Sequence, residues 1–122
     1  MPLPHRNLVI LGLAVSYAAQ LGVTQIHLAL NRQDRHAYPS ASDEFLRQFR
    51  LLAQTLGNVE LLTPLADLSK SQIIRRGLGL GIDYAKTYSC LLGYSIQCGS
   101  CPQCEKRRAA FADIEMADPA GF

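Results

Sequence analysis

Four cysteines stand at positions 90, 98, 101 and 104, inside a fifteen-residue window, and the chain has no others. The pattern is C-x7-C-x2-C-x2-C. Two-residue gaps let successive thiolates turn onto one ion, and Gly99 and Pro102 supply turn chemistry between them. In a reducing compartment, clustered thiols serve metals more often than disulfides. Four soft thiolates suit tetrahedral zinc; an iron–sulfur cluster, disulfides and free thiols are the other readings. Four filled positions leave none open for a reacting water, so the zinc reading is a structural one, with Cys90, Cys98, Cys101 and Cys104 as ligands. A Zn(Cys)4 centre carries two negative charges, which offset the formal +2 of the chain. "EKRR" at 105–108 sets three cations beside it, either to tune the centre or as a solvated helix face.

A chain of 122 residues fits one domain with a modest core. Hydrophobic residues at 48% and charged residues at 18% exclude a disordered segment. The small net charge gives no reason to expect direct contact with nucleic acid or membrane. The apolar run near the N-terminus has no cleavage signature and is short of the roughly 20 residues a bilayer needs. It reads as a buried helix of a soluble, cytoplasmic protein.

Periodicity supplies the rest of the order. Residues 7–21 have helical apolar spacing and stop at Gly22. Apolar residues (Leu8, Ile10, Leu11, Leu13, Val15, Leu21) cover too much of that helix for one-sided burial. "TQIHLALN" (24–31) alternates Ile26, Leu28 and Leu30 and reads as a buried strand, with His27 packed within it. Residues 31–42 read as a polar loop. Residues 42–57 open on a Ser or Asp cap and set Phe45, Phe49, Leu52 and Leu56 on one face of a helix. "NVELLTPL" (58–65) reads as a second strand, and 68–81 as a third helix, capped by Ser69 and closed by glycines. Alternating helices and strands imply parallel pairing with right-handed crossovers. The expected fold class is α/β: half of a Rossmann-like domain over 1–67, then a small helical tail carrying the metal over 68–122.

Ligands of open parallel sheets sit beyond the carboxyl ends of the strands. The segments starting at Asn31 and Thr63 therefore share an expected crevice. The second offers a hydroxyl, a helix N-terminus and Lys70, which together make a phosphate environment. From spacing alone, Ser69 is better explained as a plain cap, and Lys70 as a solvated first-turn lysine.

Four segments, in order, carry a resemblance. "PHRNLVILGLAVSYAAQLG", "ALNRQD…YP", "TPLADLSKSQIIRRGLGLGIDYAKTYSC" and "CGSCPQCEKRRAAF" together resemble the second half of the 7-cyano-7-deazaguanine synthase family, within the PP-loop ATP pyrophosphatase superfamily. The resemblance implies a PP-loop, HUP-type nucleotide-binding sheet with a structural zinc tail. It also implies ATP-dependent conversion of 7-carboxy-7-deazaguanine and ammonia to the nitrile, in queuosine biosynthesis. It implies ATP and Mg2+ at an assembled site, with Arg6, Asn7, Ser69 and Lys70 on the nucleotide side. Lys70 is the candidate for electrostatic catalysis, and Asn31, Asp34, Tyr38 and Pro39 fall near the substrate. It further implies a homo-oligomer, or a complementary chain that carries the phosphate loop.

The sequence departs from the family twice. The Gly-rich strand–loop that grips the ATP phosphates has no counterpart here, so turnover by this chain alone is not expected. And "YPSAS" puts Ser40, Ala41 and Ser42 where the family reads Asp, Cys and Arg. Two other readings stand beside the synthase: a related nucleotide enzyme with another substrate, and a non-catalytic, zinc-stabilised interaction module.

Overall fold

The computed structural model describes residues 3–121, which fall into two compact units, Met1–Asp67 and Leu68–Phe122.

In the first unit, helix α1 (Arg6–Leu21) leads to strand β1 (Gln25–His27). A short helix α2 (Arg32–Ala37) and a 3-10 turn at Pro39–Ala41 follow, then helix α3 (Asp43–Gly57) and strand β2 (Glu60–Leu62). The strands pair in parallel, Gln25 opposite Glu60 and His27 opposite Leu62. α1 ends where Gly22 adopts φ 67° and returns its N–H to the carbonyls of Ala18 and Ala19, a left-handed cap that glycine takes without steric cost. α3 starts on the Ser42 hydroxyl, which accepts from the N–H of Phe45.

The core of this unit joins Leu11 and Val15 of α1, Leu46, Phe49 and Ala53 of α3, and Leu61 of β2. Ile26, Leu28 and Phe45 pack against it from half-buried positions. Burying Leu46 or Phe49 contributes about 1.5–3 kcal/mol each.

Several sequence expectations change here. Residues 31–42 are not a loop but α2 and a 3-10 turn. The cause is a capping box in which Asn31 and Asp34 each accept the other's backbone N–H. Only three residues of each expected strand are paired, and β1 is half-buried on one face alone, with Gln25 and His27 exposed. His27 is therefore not packed. The buried stripe of α3 is Leu46, Phe49 and Ala53; Leu52 and Leu56 are exposed. On α1 only Leu11, Val15 and Ala18 are buried, and Leu8, Val9, Ile10, Leu13, Tyr17 and Leu21 are exposed.

The second unit holds helix α4 (Lys70–Gly79), a 3-10 turn at Tyr84–Lys86, the cysteine-bearing loop, and helix α5 (Pro102–Ala112). Ile74, Ala110 and Phe111 form its core, with Leu78, Tyr84 and Ile114 packed around them. Tyr84 meets Phe111 edge-on, ring centroids 5.5 Å apart. Gly77 lies inside α4 rather than ending it. A Cβ there would overlap the Tyr84 hydroxyl, so glycine is what lets that ring reach the helix. Among the described residues no helix is long and apolar enough to cross a membrane.

Candidate metal centre and the cleft at the start of α1

The loop between the 3-10 turn and α5 is shaped by one side chain that sequence reasoning did not single out. Gln97 accepts the N–H of Ser89 at 2.8 Å and donates to the Thr87 carbonyl at 3.3 Å. This staple closes the loop and brings Cys90 toward Cys98. Gly99, at φ 72°, then turns the chain between Cys98 and Cys101. Cys101 is the N-cap of α5, Pro102 its first residue, and Cys104 sits in its first turn. The missing N–H of proline costs nothing at that position.

The four Sγ atoms lie within 4.8 Å of one another. Thiolates sharing one tetrahedral ion at about 2.3 Å stand roughly 3.8 Å apart, so the cluster needs little movement to hold a metal. Cys90 and Cys104 are buried, and Cys98 and Cys101 partly so. The backbone is already arranged for thiolates. N–H groups of Cys98 and Leu92 point at Cys90 Sγ, and those of Ser100 and Cys101 point at Cys98 Sγ. These hydrogen bonds hold both thiols below their ordinary value. N–H groups of Leu91 and Cys104 do the same for Cys101. Burial instead pushes the Cys104 thiol up to about 12, so the fourth proton leaves only when a cation replaces it. A donor set of four sulfurs fits zinc.

Arg107 is the second residue that the sequence reading misplaced. It is neither on a solvated face nor available to tune the metal; it is buried. Its Nε and Nη2 form a two-pronged pair with the Asp118 carboxylate at 2.6 and 2.8 Å. Nη1 donates to the Thr87 carbonyl and hydroxyl, and Nη2 to the Tyr84 carbonyl. The guanidinium thus ties α5, which carries Cys104, to the segment that leads into Cys90. Burial pushes the Asp118 carboxyl up, but the Arg107 hydrogen bonds, the N–H of Ala120 and the guanidinium charge outweigh it and hold it below its usual range. A signal was there: Arg107 follows Cys104 by three residues and precedes Ala110 and Phe111 by three and four, the face of α5 that is buried.

The other candidate residues divide between the units. Arg6, Asn7 and Tyr38 come together with His5 and Ser40 around a cleft of about 190 Å³ in the first unit. Asn7 donates to the Ser40 carbonyl at 3.0 Å, which joins the start of α1 to the 3-10 turn containing Pro39. Arg6 is exposed, and no carboxylate pairs with it among the described residues. The first turn of α1 has no acidic residue, so the cleft carries positive character. Asn31 and Asp34 use their side chains in the capping box of α2. Arg32 and Arg35 fasten α2 to the carbonyls of Asp67 and Ala66, which joins the segments that follow the two strands. Ser69 and Lys70 belong to the second unit, where the Ser69 hydroxyl accepts the Gln72 N–H as the cap of α4.

A family model described as "Queuosine biosynthesis protein QueC" matches residues 2–115. The 7-cyano-7-deazaguanine synthase of Methylococcus capsulatus is 40% identical over 128 residues, covering 98% of this chain and 57% of that protein. 7-Cyano-7-deazaguanine synthase 1 of Sulfurisphaera tokodaii is 36% identical over 121 residues, covering 99% of this chain and 59% of that protein. The synthase of Stutzerimonas stutzeri is 39% identical over 128 residues, again covering 98% and 57%. The chain thus spans a little under three-fifths of the length of these curated relatives.

Proposed function

From the premise that the chain belongs to the QueC family of queuosine biosynthesis proteins, we propose that it serves ATP-dependent synthesis of 7-cyano-7-deazaguanine from 7-carboxy-7-deazaguanine and ammonia. What supports this reading most is the likeness to named synthases along 98% of the chain.

The substrate's carboxylate is a poor electrophile, because attack on it would have to expel oxide. In the proposed reaction a carboxylate oxygen attacks the α-phosphorus of ATP, and pyrophosphate leaves. Ammonia adds to the activated carbon, loses a proton, and AMP departs to leave the amide. A second ATP activates the amide oxygen in the same way; loss of AMP and the remaining nitrogen protons gives the nitrile. A protein assists such steps mainly by positioning and by neutralising charge.

We assign those tasks as follows. Arg6 and the first-turn N–H groups of α1, Asn7 among them, face an anionic group in the cleft. Tyr38 and Pro39 hold the planar base beside it. Asn31 and Asp34 fix the start of α2, the short helix that ends at Tyr38. Lys70, at the start of α4 beside Ser69, neutralises nucleotide phosphate, with Mg2+ as counter-ion. The four cysteines take zinc, which supplies a structural cross-link between the loop and α5 and no open position for chemistry.

The test is formation of the nitrile from the carboxylic acid, followed by mass spectrometry, in a complete protein that carries this sequence. Product should require ATP and ammonia, and Arg6→Ala should lower kcat/KM at least tenfold. ATP consumption independent of the carboxy-deazaguanine would overturn the substrate assignment.

A further inference from the structure

Arg50 lies beside the buried stripe of α3, four residues after Leu46 and three before Ala53, so its apolar stem flanks the core of the first unit. Its head reaches β2. In a parallel ladder, alternate residues turn their N–H and C=O toward the partner strand. The Glu60 N–H donates to the Thr24 carbonyl, and the Leu62 carbonyl accepts from the Leu28 N–H, both at 2.9 Å. Glu60 and Leu62 therefore bond toward β1, and the backbone of Leu61 faces away from it. The guanidinium meets that side: Nε donates to the Leu61 carbonyl and Nη2 to the Thr63 hydroxyl, each at 3.0 Å.

These two bonds use one side of the guanidinium fork. The far edge, made by Nη1 and the second N–H of Nη2, has no partner among the described residues. Arg50 is half-buried, and no carboxylate pairs with it among the described residues. Partial burial of a cation is costly where no opposite charge offsets it. Beside it lies a cavity of about 390 Å³ lined by Arg50, Gln54, Thr63 and residues 59–62, within the usual size of small-molecule sites. The one acid in that lining is Glu60. Strand alternation puts its side chain on the face opposite Leu61, where its carboxylate accepts the Gln25 amide at 3.3 Å. The Thr63 hydroxyl accepts from Nη2 and keeps its own proton to donate.

We propose that this cavity binds a small organic monocarboxylate, whose two oxygens take the free edge of the Arg50 fork. The coplanar N–H pair of a guanidinium matches the two oxygens of a carboxylate. The charge count selects the class. Arg50 is the only cation in the lining, so it neutralises a single negative charge, and the second charge of a phosphate dianion would go unmet. Val59, Leu61 and Leu62 supply an apolar wall for a short hydrocarbon or aryl body, and the Thr63 hydroxyl supplies a further donor. The cavity shares no lining residue with the cleft at the start of α1, and the proposal does not depend on the reaction assigned above.

The chain would be titrated at constant ionic strength with benzoate, benzamide and inorganic phosphate, and followed by NMR of its amides and of the Arg50 Nε–H. Benzoate should shift Leu61, Thr63 and the Arg50 Nε–H saturably, with a Kd of about 1 mM for a ligand of this size. Benzamide, the same shape without the charge, and phosphate should each bind at least tenfold more weakly. Arg50→Lys keeps the charge but loses the fork, and should weaken benzoate at least tenfold. Glu60→Gln, on the opposite face, should change the affinity by less than about twofold, as expected of an exposed group outside the contact. The comparison of the three ligands needs no variant, so it decides the matter even if Arg50→Lys folds poorly. The proposal is overturned if benzoate gives no saturable shift at these groups, if benzamide or phosphate binds as tightly as benzoate, or if folded Arg50→Lys binds benzoate unchanged.

Discussion

Removing the Arg107 guanidinium should cost more than any other single truncation in the second unit outside the cysteines. Its side chain is 3% exposed and that of Asp118 1%, so Arg107→Ala strands a carboxylate with almost no water to solvate it. Breaking such a pair from one side costs about 3–5 kcal/mol. The Thr87 and Tyr84 carbonyls also lose donors, at about 1–3 kcal/mol each where water cannot replace them. Asp118 can relax by taking up a proton, which limits the total, so a loss of about 3 kcal/mol is the conservative figure. For a chain of this size that lowers Tm by roughly 12 °C or more. The assay is urea unfolding followed by circular dichroism at fixed free zinc, with the midpoint and slope compared between proteins. The pair replaced together by Met and Leu should recover at least half of the loss, because a well-packed apolar substitute leaves no orphan charge. A loss below about 1 kcal/mol for Arg107→Ala would show that the pair does not hold α5 to the cysteine loop.

Two further outcomes are expected. Gly77→Ala should destabilise by about 1–3 kcal/mol, although alanine is the better helix former by about 1 kcal/mol, since the new Cβ displaces Tyr84; thermal melting checks this, and a raised Tm would contradict the packing. The Asp118 carboxyl is held below its unfolded value, so its contribution is full above about pH 5 and fades as pH falls through the depressed folded value. The advantage of the native protein over Asp118→Asn should therefore be constant from pH 7 to about 5 and shrink as pH falls further; an advantage that does not shrink at all on acidification would refute the assignment.

The cysteine cluster was legible because its information is local: two-residue gaps, a glycine that takes φ 72° and a proline at a helix start lie within a few positions of each other. The helix starts at Ser42 and Ser69 were legible for the same reason, each hydroxyl reaching an N–H three residues on. Pairing was not local, and there the sequence reading overreached. Apolar runs around Ile26 and Leu61 look like strands of eight residues, yet the ladder holds for three; Asn58 is taken up as the left-handed cap of α3, and residues 64–67 turn. α2 was hidden because its stabilising residues are polar and bond to each other. Arg107 was hidden by its charge. A buried cation is intelligible only with its partners, and Tyr84, Thr87 and Asp118 lie 23, 20 and 11 residues away. Leu52 and Leu56 misled in the opposite sense: they keep helical spacing, but among the described residues they are exposed.

Cobalt titration of the metal-free protein tests the centre of this account most directly. One equivalent per chain should bind, with intense thiolate-to-metal absorption in the near ultraviolet and the visible bands of a tetrahedral ion. Zinc should displace it, and Cys101→Ser should weaken both ions and lower Tm. Absence of binding by reduced protein, or a melting curve indifferent to metal, would contradict a cross-linked Cys90–Cys98–Cys101–Cys104 centre.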